Sequence, residues 1–67
     1  MRYLFIGKNI SKQLDLKEKN QLWLAGKCGV TPSHINQIIR GKRNPSVSIL
    51  IKISKALEIT VDDLVEE

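Results

Sequence analysis

The chain has 67 residues and a formal net charge of +4, and residues 1–67 have the size of one small domain. A single Cys excludes an intrachain disulfide, and the apolar run from Tyr3 to Ile6 is too short for a signal core or a membrane span. A chain of this length buries only about 60% of its unfolded surface, so we expect closely packed helices, a partner subunit or both. We expect no effector domain and no small-molecule effector site.

The apolar spacing predicts two helices in the first part of the chain. A four-residue repeat over about residues 3–16 predicts the first helix, with Ile6, Ile10 and Leu14 on its inner face. Asn20 is suited to cap the N-terminus of the second helix. Gly29 ends that helix, because glycine adopts the left-handed conformation at little steric cost. The apolar residues of the second helix are Leu22, Leu24, Ala25 and Cys28.

The third helix has the clearest start signal. Thr31 can cap its free amides, and Pro32 at the first helical position loses no needed hydrogen bond. Ile35 and Ile38 then point inward, and Gly41 ends the helix.

Two further helices complete a predicted all-α, five-helix fold. Ser46 caps the fourth helix, and Thr60 with Asp63 resembles a capping box that opens the fifth. The inner face of the fourth helix is predicted to be Val47, Leu50, Ile53 and Leu57, and the fifth carries Val61, Leu64 and Val65.

Residues 21–40 fit the steric needs of a helix-turn-helix. Two short helices that cross at a steep angle require a small residue at the crossing, and Ala25 supplies it. Gly29 supplies the tight turn four residues later. Ile35 and Ile38 are spaced to pack back onto the second helix.

Charge is divided along the chain. Residues 19–57 contain seven basic and no acidic residues, whereas residues 58–67 contain five acidic and no basic residues. Such a distribution gives one cationic face, which suits a polyanion such as nucleic acid. A solvated lysine-rich surface is the alternative that charge alone leaves open.

Three stretches resemble the lambda-repressor/Cro (XRE-type) family of helix-turn-helix transcriptional regulators from bacteria and phages. Residues 24–31 (LAGKCGVT) resemble its LA-x-x-x-G-V-S/T signature. Residues 35–46 (INQIIRGKRNPS) resemble its third helix and following loop, and residues 57–64 (LEITVDDL) resemble its C-terminal helix. The resemblance implies a cytoplasmic protein, bacterial or phage-encoded, that binds double-stranded DNA.

The resemblance also implies which residues meet DNA. The third helix would lie in the major groove and read base edges, and the second helix and the loop after the third would bond phosphates. Asn and Gln are chemically suited to the donor and acceptor pair of adenine. The base-reading candidates are Pro32, Ser33, Asn36 and Gln37, and the phosphate candidates are Asn20, Gln21, Lys27, Arg40, Lys42, Arg43 and Asn44. Apart from the resemblance, the same residues are ordinary polar helix faces and surface charges.

The sequence departs from the family at several positions. Pro32 replaces a polar residue at the start of the recognition helix, Lys19 replaces a buried Leu, and Glu58 replaces a helix-ending Gly. Leu14 and Ile39 stand where many members place an Arg and a Glu that pair. Because replacing both partners of a buried pair is tolerated better than losing one, we expect Leu14 and Ile39 to touch.

No catalytic or metal-binding constellation is visible, so we expect neither an enzyme nor a cofactor. One His and one Cys match no zinc spacing, and the carboxylates at positions 62 and 63 are explained by the dipole of a helix start. Cys28 is predicted to be a core residue and His34 an exposed one.

Apolar residues exceed what short helices can bury, which favours a homodimer. We expect the fourth and fifth helices, with the N-terminal segment as a further contributor, to supply the dimer contact. Trp23 either belongs to that contact or completes the local core. The alternative function is a protein-interaction module, an adaptor or an antitoxin-like partner, that keeps the fold without reading DNA.

Overall fold

The computed structural model describes residues 3–65, with side chains from Phe5 onward. These residues form five helices and no strand, which confirms the predicted all-α fold. α1 packs against α3 and α5, and α2 packs against α3 and α4. The helices are α1 Tyr3–Leu16, α2 Gln21–Cys28, α3 Pro32–Ile39, α4 Val47–Leu57 and α5 Val61–Val65.

One apolar core joins all five helices. Burying a large aliphatic side chain contributes about 1.5–3 kcal/mol, so this core is the main source of stability in so small a domain. The periodic positions of the sequence supply nearly all of it. Its buried apolar residues are Ile6, Ile10, Leu14, Leu24, Ala25, Cys28, Ile35, Ile38, Leu50, Ile53, Leu57 and Leu64.

The inward placement predicted for Val47 is wrong, because its side chain is 72% exposed. Val47 is the first residue of α4, and Pro45 is the buried residue at that end of the helix. Ile51 lies one turn further along the same face of α4 and is 41% exposed.

Leu14 is buried and Ile39 packs against the same core, while a direct contact between these two side chains stays a prediction.

The predicted N-terminal caps are confirmed. The backbone N–H of Trp23 donates to Oδ1 of Asn20 at 2.9 Å. Thr31 and Ser46 accept equivalent bonds from the third residue of their helices, both at 3.2 Å. Thr60 and Asp63 form the reciprocal capping box, with the N–H of Asp63 3.0 Å from Oγ1 of Thr60.

Four helices end in the same backbone motif, in which a left-handed residue turns the chain away. Gly29 (φ 69°) and Gly41 (φ 73°) take this conformation after α2 and α3. Gly41 follows the C-cap residue Arg40, so α3 ends two residues before the glycine. After α1 and α4 the position is held by Glu18 (φ 56°) and Glu58 (φ 58°), and left-handed backbone costs a non-glycine residue about 1–2 kcal/mol.

α1 and the end of α3 meet backbone to backbone at Gly7. A Cβ at Gly7 would overlap the carbonyl oxygen of Ile39 and lie 2.8 Å from its carbon. Only glycine allows this approach, and the sequence pattern did not identify it because nothing local marks a contact with a residue so distant in the chain.

We expect Gly7→Ala to lower the free energy of unfolding by about 1–3 kcal/mol, because the backbone of α3 must shift to admit the methyl group. Gly26 is the matched control, since a Cβ there would have no neighbour within 4 Å. Gly26→Ala should instead stabilise α2 by about 0.5–1 kcal/mol. Urea denaturation measures both changes, and equal effects of the two substitutions would contradict the close approach.

We expect Glu58→Gly to raise the free energy of unfolding by about 0.5–1 kcal/mol, because it relieves the left-handed strain and the gain exceeds the entropy that glycine adds to the unfolded chain. Glu58→Ala removes the charge and keeps the strain, so it separates the two causes. Thermal denaturation of the variants is the measurement, and a glycine variant no more stable than the alanine variant would be inconsistent with strain at this position.

Candidate nucleic-acid interface

The turn between α2 and α3 has the geometry predicted for a helix-turn-helix. Gly29 is left-handed, and the N–H of Val30 donates to the carbonyl of Ala25 at 3.0 Å. Ala25 is 1% exposed and Thr31 starts α3 within two residues of the turn. The crossing is therefore fixed by local hydrogen bonds together with the packing of a small side chain.

One face of α3 carries all four base-reading candidates. Ile35 and Ile38 are buried and hold the opposite face against the core. Pro32 and Ser33 are exposed, and Asn36 and Gln37 are half-buried. The four candidates occupy two successive turns of the helix, so a single ligand that lies along α3 could meet all of them.

Asn36 is tied to the start of α2. Its Nδ2 donates to Oε1 of Gln21 at 3.1 Å, across the helix-turn-helix. This bond uses the acceptor of Gln21 and leaves the amide hydrogens of Gln21 free to donate to an anion. The structure thus brings a base-reading candidate and a phosphate candidate into direct contact.

Most of the remaining phosphate candidates lie either at the N-terminus of α2 or in and beside the loop after α3. Asn20 lies at the N-terminus of α2, where it already caps the helix through Oδ1 and retains its amide hydrogens. The loop after α3 is exposed and begins with the left-handed Gly41. It contributes the candidates Lys42, Arg43 and Asn44, with exposed Arg40 immediately before it.

Lys27 is the exception among these candidates, because the structure places it beside α4. Its Nζ lies 5.9 Å from the centroid of the Trp23 ring, on the face of α2 that borders Lys52 and Lys55. Trp23 is partly buried against the core, so it contributes to local packing. The sequence pattern did not group Trp23 with these lysines, because α4 meets α2 only in the folded chain.

Cys28 occupies the core position that the sequence predicts and is 2% exposed. Burial raises the pKa of its thiol, and Lys52 opposes that shift more weakly. A raised pKa keeps the thiol protonated and therefore poorly nucleophilic. The exposed placement predicted for His34 is wrong, because its side chain is half-buried on α3. Within residues 3–65, no group of three or more His, Cys, Asp or Glu side chains could hold a metal ion, and no helix is long and apolar enough to cross a membrane.

The Helix-turn-helix family model matches residues 10–64, which is most of the chain. The chain therefore belongs to this family of XRE-type DNA-binding transcriptional regulators. No match was found among curated proteins.

Solved structures share the whole fold. The restriction-modification controller protein C.AhdI from Aeromonas hydrophila is 27% identical, with a TM-score of 0.87 over 92% of this chain and 94% of that chain. The hypothetical transcription factor NHTF from Neisseria is 21% identical, with a TM-score of 0.91 over 98% of this chain and 76% of that one. The clp gene regulator ClgR from C. glutamicum is 22% identical, with a TM-score of 0.87 over 96% and 83%.

We expect Gln21 and Asn36 to act as a unit in DNA binding. Gln21→Ala and Asn36→Ala should each weaken binding, and the double variant should lose less than the sum, because each single change already breaks the bond between them. The measurement is a double-mutant cycle by fluorescence anisotropy on a duplex that the protein binds. Additive losses would mean that the two side chains act separately.

Proposed function

We propose that this protein is a repressor of phage or plasmid type that binds an operator and blocks transcription in the cytoplasm. The observation that carries the proposal is the face of α3, which presents two amide side chains and a hydroxyl beside a cationic loop. α3 lies in the major groove, where Asn36 and Gln37 bond base edges, Ser33 serves either base of a pair, and Pro32 contacts a thymine methyl group.

Phosphate contacts on both sides of the recognition helix orient it. Asn20 and Gln21 act at the N-terminus of α2, where the backbone amides and the helix dipole also favour an anion. Lys42, Arg43 and Asn44 follow the backbone after α3, with Arg40 at their start. Lys27 lies beside α4 and is the weakest of the phosphate candidates.

A two-fold dimer would place two recognition helices in successive major grooves, with half-sites about 34–36 Å apart. The support for a dimer is the exposed apolar stripe of Val47 and Ile51 on α4.

We expect Ile51→Glu to shift the protein to a monomer and to weaken operator binding while the fold is kept, because Ile51 is already 41% exposed. Light scattering gives the molar mass, and an unchanged mass would exclude this face as the dimer contact.

The experiment that tests the function is an anisotropy titration of genomic fragments, including the DNA that flanks the gene, at several salt concentrations. Tight binding to one fragment over bulk DNA, with a steep salt dependence, supports an operator-binding regulator.

Arg43→Ala should reduce the magnitude of the log–log salt slope by about 0.9 for the lost phosphate contact. Lys12→Ala, on the exposed side of α1, is the matched control and should leave the slope unchanged.

A protein-interaction module is the second candidate, favoured by the exposed side chains of Leu16 and Leu22, each 67% exposed. Absence of DNA binding at low salt would favour this module over the repressor. Tight but indiscriminate binding would instead indicate an architectural role.

A further inference from the structure

A second cationic surface lies between α2 and α4, on a part of α2 that does not carry the DNA candidates at its N-terminus. It is a groove of about 400 Å³, and we call it the Trp23 groove. Its lining residues are Trp23, Lys27, Lys52, Lys55, Ala56 and Glu58.

Four lysines lie at or beside this groove, and two of them lie over its aromatic ring. Nζ of Lys19 lies 5.4 Å from the centroid of Trp23, and Nζ of Lys27 lies 5.9 Å from it. Lys52 and Lys55 complete the cluster from α4. Four like charges on one small surface repel one another. None of the four forms an ion pair with a carboxylate of residues 3–65, so an anionic occupant would relieve the repulsion.

The shape and chemistry of the groove favour carboxylates of a peptide over a nucleic acid. A DNA duplex is convex and would span a concave groove between two helices rather than enter it. The two ammonium groups over Trp23 already occupy positions where a base would stack.

The chain itself contains a segment of complementary charge. Residues 61–67 carry four acidic residues and no basic one, and Asp62 and Asp63 are exposed on α5. Within one copy Asp62 and Asp63 do not neutralise the groove, because α5 packs against α1 and α4 and these two carboxylates pair with none of the four lysines.

We propose that the Trp23 groove of one copy binds the acidic segment, residues 61–67, of a second copy. The contact is electrostatic and joins two patches of opposite charge, so two copies can form it reciprocally or head to tail. It differs in this respect from a dimer through the apolar stripe on α4, which would join like to like. Salt should weaken the electrostatic contact and leave an apolar contact intact or strengthened.

The test uses two charge-reversed forms of the full chain. The groove variant carries Lys52→Glu and Lys55→Glu, and the tail variant carries Asp62→Lys and Glu66→Lys, which leaves the capping box of Thr60 and Asp63 intact. Trp23 is the only Trp of the chain, so its fluorescence reports on the groove directly. Sedimentation equilibrium gives the association constant, and circular dichroism verifies that both variants fold.

We expect wild-type self-association to alter Trp23 fluorescence and to weaken as salt rises. Each variant alone should associate about tenfold more weakly or worse, because like charges then face each other. An equimolar mixture should regain association, since the tail of the groove variant meets an unaltered groove.

Three results would overturn the proposal: no concentration-dependent change at Trp23, association that survives both reversals, or failure of the mixture to recover. A fluorescence change produced only by a non-operator duplex, and lost in the groove variant, would assign the groove to nucleic acid instead. Neither Lys52 nor Lys55 is among the base-reading or phosphate candidates, so anisotropy on the same variants separates failure of this proposal from failure of the proposed repressor.

Discussion

The position of α3 depends on a contact between backbones, where Gly7 of α1 lies against the carbonyl of Ile39 at the end of α3. The other end of α3 is fixed by the left-handed Gly29 and by Thr31, which caps its first turn. A helix held at both ends and buried along one face has little freedom to tilt. Such rigidity would suit the base reading that we propose for α3, because small displacements would break hydrogen bonds to base edges.

Backbone hydrogen bonds end the helices, and the left-handed position that follows is occupied by glycine at some ends and by glutamate at others. Two of the left-handed ends use glycine, and two use Glu18 and Glu58 at a cost in backbone strain. The chain tolerates this cost because the ends bring α1 onto α3 and α4 onto α5, where apolar side chains are buried. Each strained end costs about as much as one buried aliphatic side chain contributes, and the core buries many such side chains.

The basic residues of this molecule form two separate surfaces. The loop after α3 and the N-terminus of α2 carry the phosphate candidates on either side of the polar face of α3, where we propose that DNA binds. The lysines around Trp23 lie apart, between α2 and α4. The acidic end of the chain contributes no cation to either surface and would be repelled by DNA. DNA binding and self-association would therefore both respond to salt, through different lysines.

Features encoded within a few residues were determined by the sequence. The apolar spacing predicted the helices. Their starts were predicted from the caps Asn20, Thr31 and Ser46, and the helix-turn-helix was predicted from the turn at Gly29. These features are predictable because caps and turns depend on adjacent backbone. The tertiary structure alone decided which faces meet. It exposed Val47, brought Gly7 onto Ile39, joined Gln21 to Asn36, and separated Lys27 from the α3 surface. Each of these depends on neighbours distant in the chain, whose positions follow from packing the whole core rather than from any local pattern.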